Sequence, residues 1–295
     1  MRVFLTGATG FIGTQVTREL LNAGHQIIGL TRSEAGGRAL LALGAEPYLA
    51  NIEDLPALQR GAEACDAVIH TAFDHNFTHF MANCQKDGRV IAALGEVLIG
   101  SARPLIITSS IAMGASLPGQ PADEDRFDPH HPHPRAASER AGDGLLQRGV
   151  NVIALRLAQI HNPVKQGLVS ELIQHARNTG VSAYVGEGLN QWSAAPLSDT
   201  AHLYRLALEH PQPGARYHAI AQTSIAFGLI AQAIATGLGV PAVGLDDAEA
   251  ALHFGWLSAF VGKDLFGHSD KTRTRLGWAP TGADLITDLQ RHFNQ

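Results

Sequence analysis

The chain has 295 residues and a formal net charge of −5 at pH 7, with 45% hydrophobic and 17% charged residues. This length fits one large α/β domain or a nucleotide-binding domain with an added lobe. The acidic balance argues against a nucleic-acid surface, and the apolar runs are too short to span a membrane. Two cysteines and a start at Met1 without signal-peptide zones predict a cytoplasmic protein.

Short apolar runs alternate with helical periodicity through the first half of the chain. Buried parallel strands are predicted at RVFLTG, HQIIGLT, DAVIHTA, RPLIITSS and NVIALRLAQI, which start at residues 2, 25, 66, 103 and 151. Helices are predicted at 11–24, 33–45, 84–102 and 134–147. Repeated strand–helix alternation predicts an α/β fold of the Rossmann type, with a doubly wound parallel sheet.

The second half of the chain has shorter and more mixed elements. Helices are predicted at 169–179, 200–209, 224–237, 248–252 and 272–277, and an irregular connection is predicted at 183–199. This pattern is typical of a small C-terminal substrate-binding lobe. We therefore assign 1–165 to an NAD(P)-binding domain and 166–295 mainly to the lobe, with part of 181–212 returning to the first domain.

A glycine-rich turn, TGATGFIG, closes the first predicted strand and opens the first helix at residues 6–13. Gly7 permits the tight turn, Gly10 lets the backbone approach a pyrophosphate, and Gly13 lets the helix pack closely on the sheet. Unpaired N–H groups and the positive end of the helix dipole then bind phosphate. The predicted contacts of this turn with a dinucleotide are Gly7, Thr9, Gly10, Phe11, Ile12 and Gly13.

The TGxxGxxG spacing resembles that of the extended and atypical short-chain dehydrogenase/reductases, which include NAD-dependent epimerases and dehydratases. Further segments resemble this family in the expected order, namely NIED at 51–54, VIHTAF at 68–73, IITSSIAMG at 106–114, LRLAQIHNP at 155–163, YVGEGLNQWSAAPLSDTAHLYRLAL at 184–208 and RLGWAP at 275–280. The resemblance implies an NAD(P)-dependent enzyme and further cofactor contacts at Asn51, Ile52, Ala72 and Phe73. It leaves a homodimer open, because many relatives pair through two helices on the flank of the sheet.

The end of the second strand bears on the choice of dinucleotide. NAD-binding relatives usually have an acid here, whereas this chain has Thr31, Arg32 and Ser33. A guanidinium beside two hydroxyls binds a 2′-phosphate through charge-assisted hydrogen bonds, which a carboxylate would repel. We expect NADP(H) as the preferred cofactor. NAD(H) remains the alternative if Arg32 is only solvated or stacks on the adenine.

The Tyr-x-x-x-Lys pair that the resemblance implies is absent. Aligning the family's usual acid with Glu139 places Arg135 at the lysine and His131 at the tyrosine, as in an atypical subgroup with an HxxxR pair. His133 is an equally reachable histidine, because both histidines precede prolines and lie in an extended segment before the helix. A shifted register would instead make Arg135 and Glu139 a surface salt bridge.

Ser110 ends a predicted strand at the edge of the sheet where ligands bind, so it is the candidate to orient a substrate oxygen, with Ser109 as its alternative. Asp74 and His75 are weighed as pocket residues, and His161 as a neighbour of the nicotinamide. Asp199 is expected to cap the helix at 200, and no metal site is predicted.

The first hypothesis is an NADP(H)-dependent oxidoreductase acting on a small carbonyl or alcohol. Ser110, His131 and Arg135 are its candidate catalytic residues, and Arg135 also contacts the cofactor. The alternatives are a nucleotide-sugar epimerase or dehydratase and a non-catalytic NAD(P) sensor. Loss of both dyad residues favours the sensor, whereas the retained lobe motifs favour an enzyme.

Overall fold

The computed structural model describes residues 1–115, 117 and 119–295. The strands are β1 (Arg2–Thr6), β2 (Gln26–Thr31), β3 (Glu46–Leu49), β4 (Ala67–His70), β5 (Pro104–Ser110), β6 (Asn151–Leu157), β7 (Gln159–His161), β8 (Ser182–Val185), β9 (Gln191–Pro196), β10 (Arg216–Ala219), β11 (Gln222–Ala226) and β12 (Ala242–Leu245).

The α-helices are α1 (Phe11–Asn22), α2 (Glu34–Leu43), α3 (Leu55–Glu63), α4 (Phe80–Glu96), α5 (Ala136–Leu146), α6 (Leu168–Thr179), α7 (Leu197–Glu209), α8 (Phe227–Leu238), α9 (Asp247–Phe254), α10 (Ser258–Val261), α11 (Asp270–Leu276) and α12 (Leu285–Phe293). Short 3-10 helices occupy Phe77–His79, Ile111–Gly114 and Gly255–Leu257. In the described part of the chain, no helix is both long and apolar enough to cross a lipid bilayer.

A seven-stranded parallel sheet forms the centre of the molecule, in the order β10-β6-β5-β4-β1-β2-β3. Its carboxyl ends share one edge, and the strand order changes direction between β1 and β4. That point is where open α/β sheets bind ligands. The predicted Rossmann-type fold is confirmed.

The sheet is buried on both faces, as the nearly continuous apolar strands predict. Side chains alternate along β1: Val3 and Leu5 belong to the core cluster that contains Val16 of α1, whereas Phe4 belongs to the opposite cluster with Val90 of α4. The helix pairs α1–α7 and α4–α5 cover the two faces. This packing fixes the strand ends against the helices that follow them.

The C-terminal lobe has its own small sheets, β11-β9-β7 and β12-β8. Its core is apolar and surrounds Trp192, which packs edge-on against Phe227 with ring centroids 4.9 Å apart. Helices α6, α8 and α12 supply most of the remaining core residues. The lobe lies after the nucleotide-binding part in the chain, and the boundary at residue 165 remains a prediction.

Several predictions of local structure differ from the observed elements. The strand at 151–160 breaks after Leu157, and β7 joins the lobe's sheet instead. The segment 183–199 is not irregular, because it contains most of β8 and all of β9. The helix expected at 224–237 begins only at Phe227, because residues 224–226 belong to β11. Asp199 is not an N-cap: it lies in the first turn of α7, and its carboxylate accepts bonds from the N–H groups of Thr281 and Gly282.

Candidate cofactor and active site

The phosphate-binding turn has the close packing that its glycines predict. Gly7 has φ of +70°, and Gly10 N–H donates to Gly7 O at 2.8 Å. A Cβ on Gly13 would lie 2.0 Å from Gly7 O, so any side chain there would displace the turn. The first N–H groups of α1 have no partner within the helix. The turn therefore fits a pyrophosphate, and Thr9, Phe11 and Ile12 belong to it.

The end of β4 lies directly beside this turn. A Cβ on Gly7 would approach both Ala72 N and Thr71 Oγ1 to 2.7 Å. The Thr71 hydroxyl donates to Thr6 O at 2.8 Å, which ties the two strand ends together. The structure therefore brings the predicted contact Ala72 to the phosphate turn, at the point where the strand order reverses, and Phe73 follows it in the chain.

The segment after β2 separates its two hydroxyls from its cation. Thr31 is buried, and its hydroxyl lies 3.4 Å from Ser33 N. The Ser33 hydroxyl caps α2 by accepting from Gly36 N at 3.1 Å. Arg32 is exposed, and no ion pair of its guanidinium occurs within residues 1–115, 117 and 119–295. Arg32 is thus available to an external phosphate, whereas both hydroxyls are engaged locally.

The loop after β3 holds the two predicted contacts near the adenine. Asn51 is exposed and its Oδ1 accepts from Glu53 N at 3.0 Å, which closes a local turn. Ile52 is half-buried and packs against the core cluster that contains Phe4. Asn51 therefore faces solvent beside the sheet edge, while Ile52 anchors the loop.

Arg135 immediately precedes α5, and its side chain is buried at the carboxyl edge of the sheet. Its Nη1 donates to Asp87 Oδ2 and to Ser138 Oγ, each at 2.7 Å, and its Nη2 donates to Thr108 O at 2.8 Å. The guanidinium carbon lies 4.1 Å from the centre of the Phe73 ring. Three of its five N–H donors are therefore used, and two remain.

Asp87 compensates the charge of Arg135. Its side chain is 3% exposed, so burial alone would raise its pKa. The charge of Arg135 and hydrogen bonds from His70 and Ser138 outweigh burial and hold the pKa of Asp87 below its ordinary value. Asp87 is thus a buried carboxylate, and the Arg135–Asp87 pair has no net charge.

The Asp87 network reaches the phosphate-binding turn through His70. His70 Nε2 donates to Asp87 Oδ1 at 3.0 Å, since an ionised carboxylate can only accept. On the other side of the ring, the Thr6 hydroxyl lies 2.7 Å from Nδ1. Thr6 and His70 end β1 and β4, so one buried chain of hydrogen bonds joins Arg135 to the strand that carries the turn.

The histidine-rich loop does not stack one histidine above Arg135. His133 N–H donates to His131 Nδ1, and Arg135 N–H donates to His133 Nδ1, each at 3.1 Å. In their neutral forms both rings therefore carry the proton on Nε2. Burial, followed by the charges of His131 and Arg135, lowers the pKa of His133 to about 4. His133 is thus a neutral hydrogen-bond donor near pH 7.

The two serines at the end of β5 have different partners. Ser109 is buried and donates to Glu139 Oε1 at 2.6 Å, beside the Arg156–Glu139 ion pair at 2.7 Å. Ser110 is only half-buried, and its hydroxyl accepts from Ala112 N at 3.3 Å. Because an oxygen that accepts can still donate its own proton, Ser110 is the serine whose hydroxyl can reach a ligand.

The surface salt bridge that a shifted register predicted for Arg135 and Glu139 is absent from the described part of the chain. Arg135 and Glu139 do not form a surface salt bridge, because both are buried and bond to Asp87 and Arg156. The expectation for His161 is also wrong: this ring is fully buried, and its Nδ1 lies 2.8 Å from Asp288 of α12.

The model of the NAD dependent epimerase/dehydratase family matches residues 3–221 of the chain. This range contains the phosphate turn, the Arg135 network and both serines. The chain belongs to this family.

Relatives of this epimerase/dehydratase-family protein cover between 73% and 100% of its length. The "Uncharacterized protein C2A9.02" of Schizosaccharomyces pombe is 44% identical over 98% of both chains. A 2-alkyl-3-oxoalkanoate reductase of Stenotrophomonas maltophilia is 29% identical over 73% of this chain and 67% of its own. A nucleoside-diphosphate-sugar epimerase from Pseudomonas aeruginosa has the same fold, with a TM-score of 0.79, 21% identity and coverage of 100% and 96%.

Asp87 is the residue of this family member's site that sequence reasoning missed. It lies on the same face of α4 as Val90, Ile91 and Leu94, and all four side chains are buried. A carboxylate on an apolar helical stripe needs a buried partner, because an unpaired buried charge is very unfavourable. That pattern was the available signal, although it does not say which cation is the partner.

Proposed function

We propose that this epimerase/dehydratase-family protein is an NADP(H)-dependent oxidoreductase that acts on a carbonyl or alcohol group of a small molecule. The observation that carries the proposal is the tightly packed turn at Gly7 and Gly13 together with the unpaired, exposed Arg32 after β2. The turn fits a pyrophosphate, and the guanidinium fits a 2′-phosphate. NAD(H) is the alternative cofactor.

The nicotinamide ring, when bound, supplies or accepts a hydride. Ser110 would donate a hydrogen bond to the substrate oxygen and orient the reacting carbon. Arg135 would use its two remaining N–H donors toward the cofactor ribose or the substrate. His131 stays a candidate for the proton step. His133 would act only as a neutral donor, since its pKa of about 4 leaves little imidazolium at pH 7.

The retained Ser110 hydroxyl favours an enzyme over a non-catalytic sensor. The family also contains epimerases, so a nucleotide-sugar epimerase is the second candidate activity. The neutralised Arg135 favours the reductase, because the pair with Asp87 leaves little net charge to activate an acid–base group.

The cofactor part of the proposal is tested by Arg32→Ala, with NADPH and NADH affinities measured by calorimetry. Hydrogen bonds to a charged group contribute about 1.5–3 kcal/mol, so NADPH affinity should fall about 10- to 150-fold while NADH affinity stays constant. Arg38→Ala is the matched control, because Arg38 is an exposed cation of the adjacent helix α2. Equal losses for both dinucleotides would refute the 2′-phosphate role.

The catalytic part is tested with NADPH oxidation by a panel of aldehydes and ketones. Ser110→Ala should lower kcat about 100-fold or more and leave the Kd for NADPH within about twofold. Binding of NADPH without oxidation by any member of the panel would favour the sensor. Interconversion of UDP-glucose and UDP-galactose without net NADPH consumption would favour the epimerase.

A further inference from the structure

A cluster of aromatic side chains extends from the cofactor edge to the C-terminal lobe. We call it the aromatic wall, and it consists of Phe73, Phe77, Phe80, Trp256 and Phe260. Phe77 stacks on Trp256 with ring centroids 4.5 Å apart and an interplanar angle of 14°. Phe77 also lies 5.5 Å from Phe80 and 5.8 Å from Phe260. The wall therefore joins the segment after β4 to the segment after α9.

The wall adjoins the polar residues of the candidate site. Phe73 lies under the Arg135 guanidinium, and its ring centroid is 6.2 Å from that of Phe80. Phe80 lies 5.8 Å from the His133 ring. One surface thus passes from hydrogen-bonding groups to aromatic rings, which is the composition typical of small-molecule sites.

Most of the wall lies outside the hydrophobic core, and only Phe260 of its five residues is among the side chains that pack against the core of the lobe. Trp256 is 44% exposed, whereas the other two tryptophans, Trp192 and Trp278, are 0% and 1% exposed. The four phenylalanines of the wall are half-buried. Stacked rings that keep solvent-facing surface beside a polar site indicate a binding surface.

Two cations next to the wall are neutralised by carboxylates. Asp87 neutralises Arg135. Lys86 is also paired, with its Nζ 2.6 Å from Glu53 and 3.6 Å from Asp74. His133 is neutral near pH 7. These side chains offer aromatic faces and neutral donors to a ligand, so a neutral planar ring matches them better than a nucleoside diphosphate.

We infer that the aromatic wall is a substrate subsite for the ring of a neutral aromatic carbonyl compound or the corresponding alcohol. The inference rests on the proposed function, since it supplies the substrate class for the same site. The ring would pack against Phe77, Phe80 and Trp256. The carbonyl or hydroxyl group would then lie toward Ser110 and the histidine loop.

Binding is tested without turnover, using the full chain with and without NADP⁺. Benzyl alcohol and cyclohexylmethanol have equal numbers of heavy atoms but differ in planarity. Stacking predicts about three- to tenfold tighter binding of benzyl alcohol by calorimetry. It should also change tryptophan fluorescence, because Trp256 is the exposed tryptophan. Equal affinities for both alcohols, or tighter binding of UDP than of benzyl alcohol by the NADP⁺-bound protein, would overturn the inference.

The wall itself is tested by Phe77→Leu and Trp256→Leu, which keep an apolar side chain and remove the ring. Both should reduce the preference for benzyl alcohol to about twofold or less and raise the KM for benzaldehyde relative to cyclohexanecarbaldehyde. The matched control is Leu252→Ala, since Leu252 is 88% exposed on α9 and outside the wall. Lower thermal midpoints with unchanged preferences would make the wall a packing contact between segments and refute the subsite.

Failure of this inference can be separated from failure of the proposed function. If NADPH binds and both aldehydes are reduced without any effect of the wall variants, the oxidoreductase function is supported and the subsite is refuted. If neither aldehyde is reduced but benzyl alcohol binds with the expected preference, the subsite is supported and the oxidoreductase function is refuted.

Discussion

Replacing Asp87 by Asn should destabilise the protein strongly, because it leaves the Arg135 cation uncompensated in a buried site. The side chains of Arg135 and Asp87 are 10% and 3% exposed. Removing one partner of a buried ion pair costs about 3–5 kcal/mol, and the carboxamide can accept hydrogen bonds through only one of its two groups. We expect the free energy of unfolding in urea to fall by about 3 kcal/mol or more.

Glu96→Gln is the matched control, because it makes the same kind of change on the same helix. Glu96 pairs with Arg148 at 2.8 Å, but both side chains are about half exposed. Exposed pairs contribute little, so this variant should unfold close to the parent. The double variant Asp87→Asn/Arg135→Met should lose less stability than the sum of its single changes. Equal losses for Asp87→Asn and Glu96→Gln would refute the reasoning.

The same pair predicts a pH dependence with a definite sign. The folded-state pKa of Asp87 is lowered, although burial opposes this, because Arg135, His70 and Ser138 stabilise the carboxylate. Its contribution is therefore present above the ordinary aspartate pKa and is lost as the pH falls through the lower folded value. Acid unfolding of the parent should be steeper than that of Asp87→Asn when both are followed by circular dichroism.

Three further predictions concern the turn, the histidine loop and α5. Gly13→Ala should weaken NADPH binding at least about tenfold in calorimetry, whereas Gly37→Ala, whose Cβ meets Pro47 at an ordinary 3.6 Å, should not. Since the pKa of His133 is lowered to about 4, its contribution is lost as the pH falls from about 6.5 toward 4. His133→Gln should flatten urea stability over that window, and an unchanged slope would contradict this. Gly144→Ala has open space in α5 and should raise the free energy of unfolding by about 0.5–1 kcal/mol without changing NADPH affinity.

The sheet was predictable because each central strand is a short apolar run that ends at the ligand-binding edge. The turn at Gly7 was also predictable, because the spacing of its glycines is typical of a tight phosphate-binding turn between a strand and a helix. The strands β8 and β9 were missed because each is short, because Gly186 and Gly188 lie between them, and because their pattern is not a clean alternation. The β11 strand was missed because it runs directly into the apolar face of α8.

The side-chain partners of the site were harder to predict than its strands. Sequence spacing suggested Arg135 and Glu139 as neighbours four residues apart, yet they bond to Asp87 and Arg156 from other elements. Local spacing identifies residues on one helical face but not the residues that other elements bring against that face. The aromatic wall was missed for the same reason, because Phe77 and Trp256 are far apart in the sequence.

The neutral Arg135–Asp87 pair bears directly on the reaction type. The resemblance implies a lysine that lowers the pKa of a tyrosine, which requires a net positive charge near the proton donor. The Asp87 carboxylate bonded to Arg135 cancels most of the field of the guanidinium at a distance. We therefore expect hydride transfer with a proton from solvent or His131, rather than a reaction that needs a strongly activated side-chain base. A higher kcat and a pH profile shifted to lower pH in Asp87→Asn would mean that the net charge near Arg135 limits the reaction, and this would contradict the expectation. An unshifted pH profile would support hydride transfer without a strongly activated side-chain base.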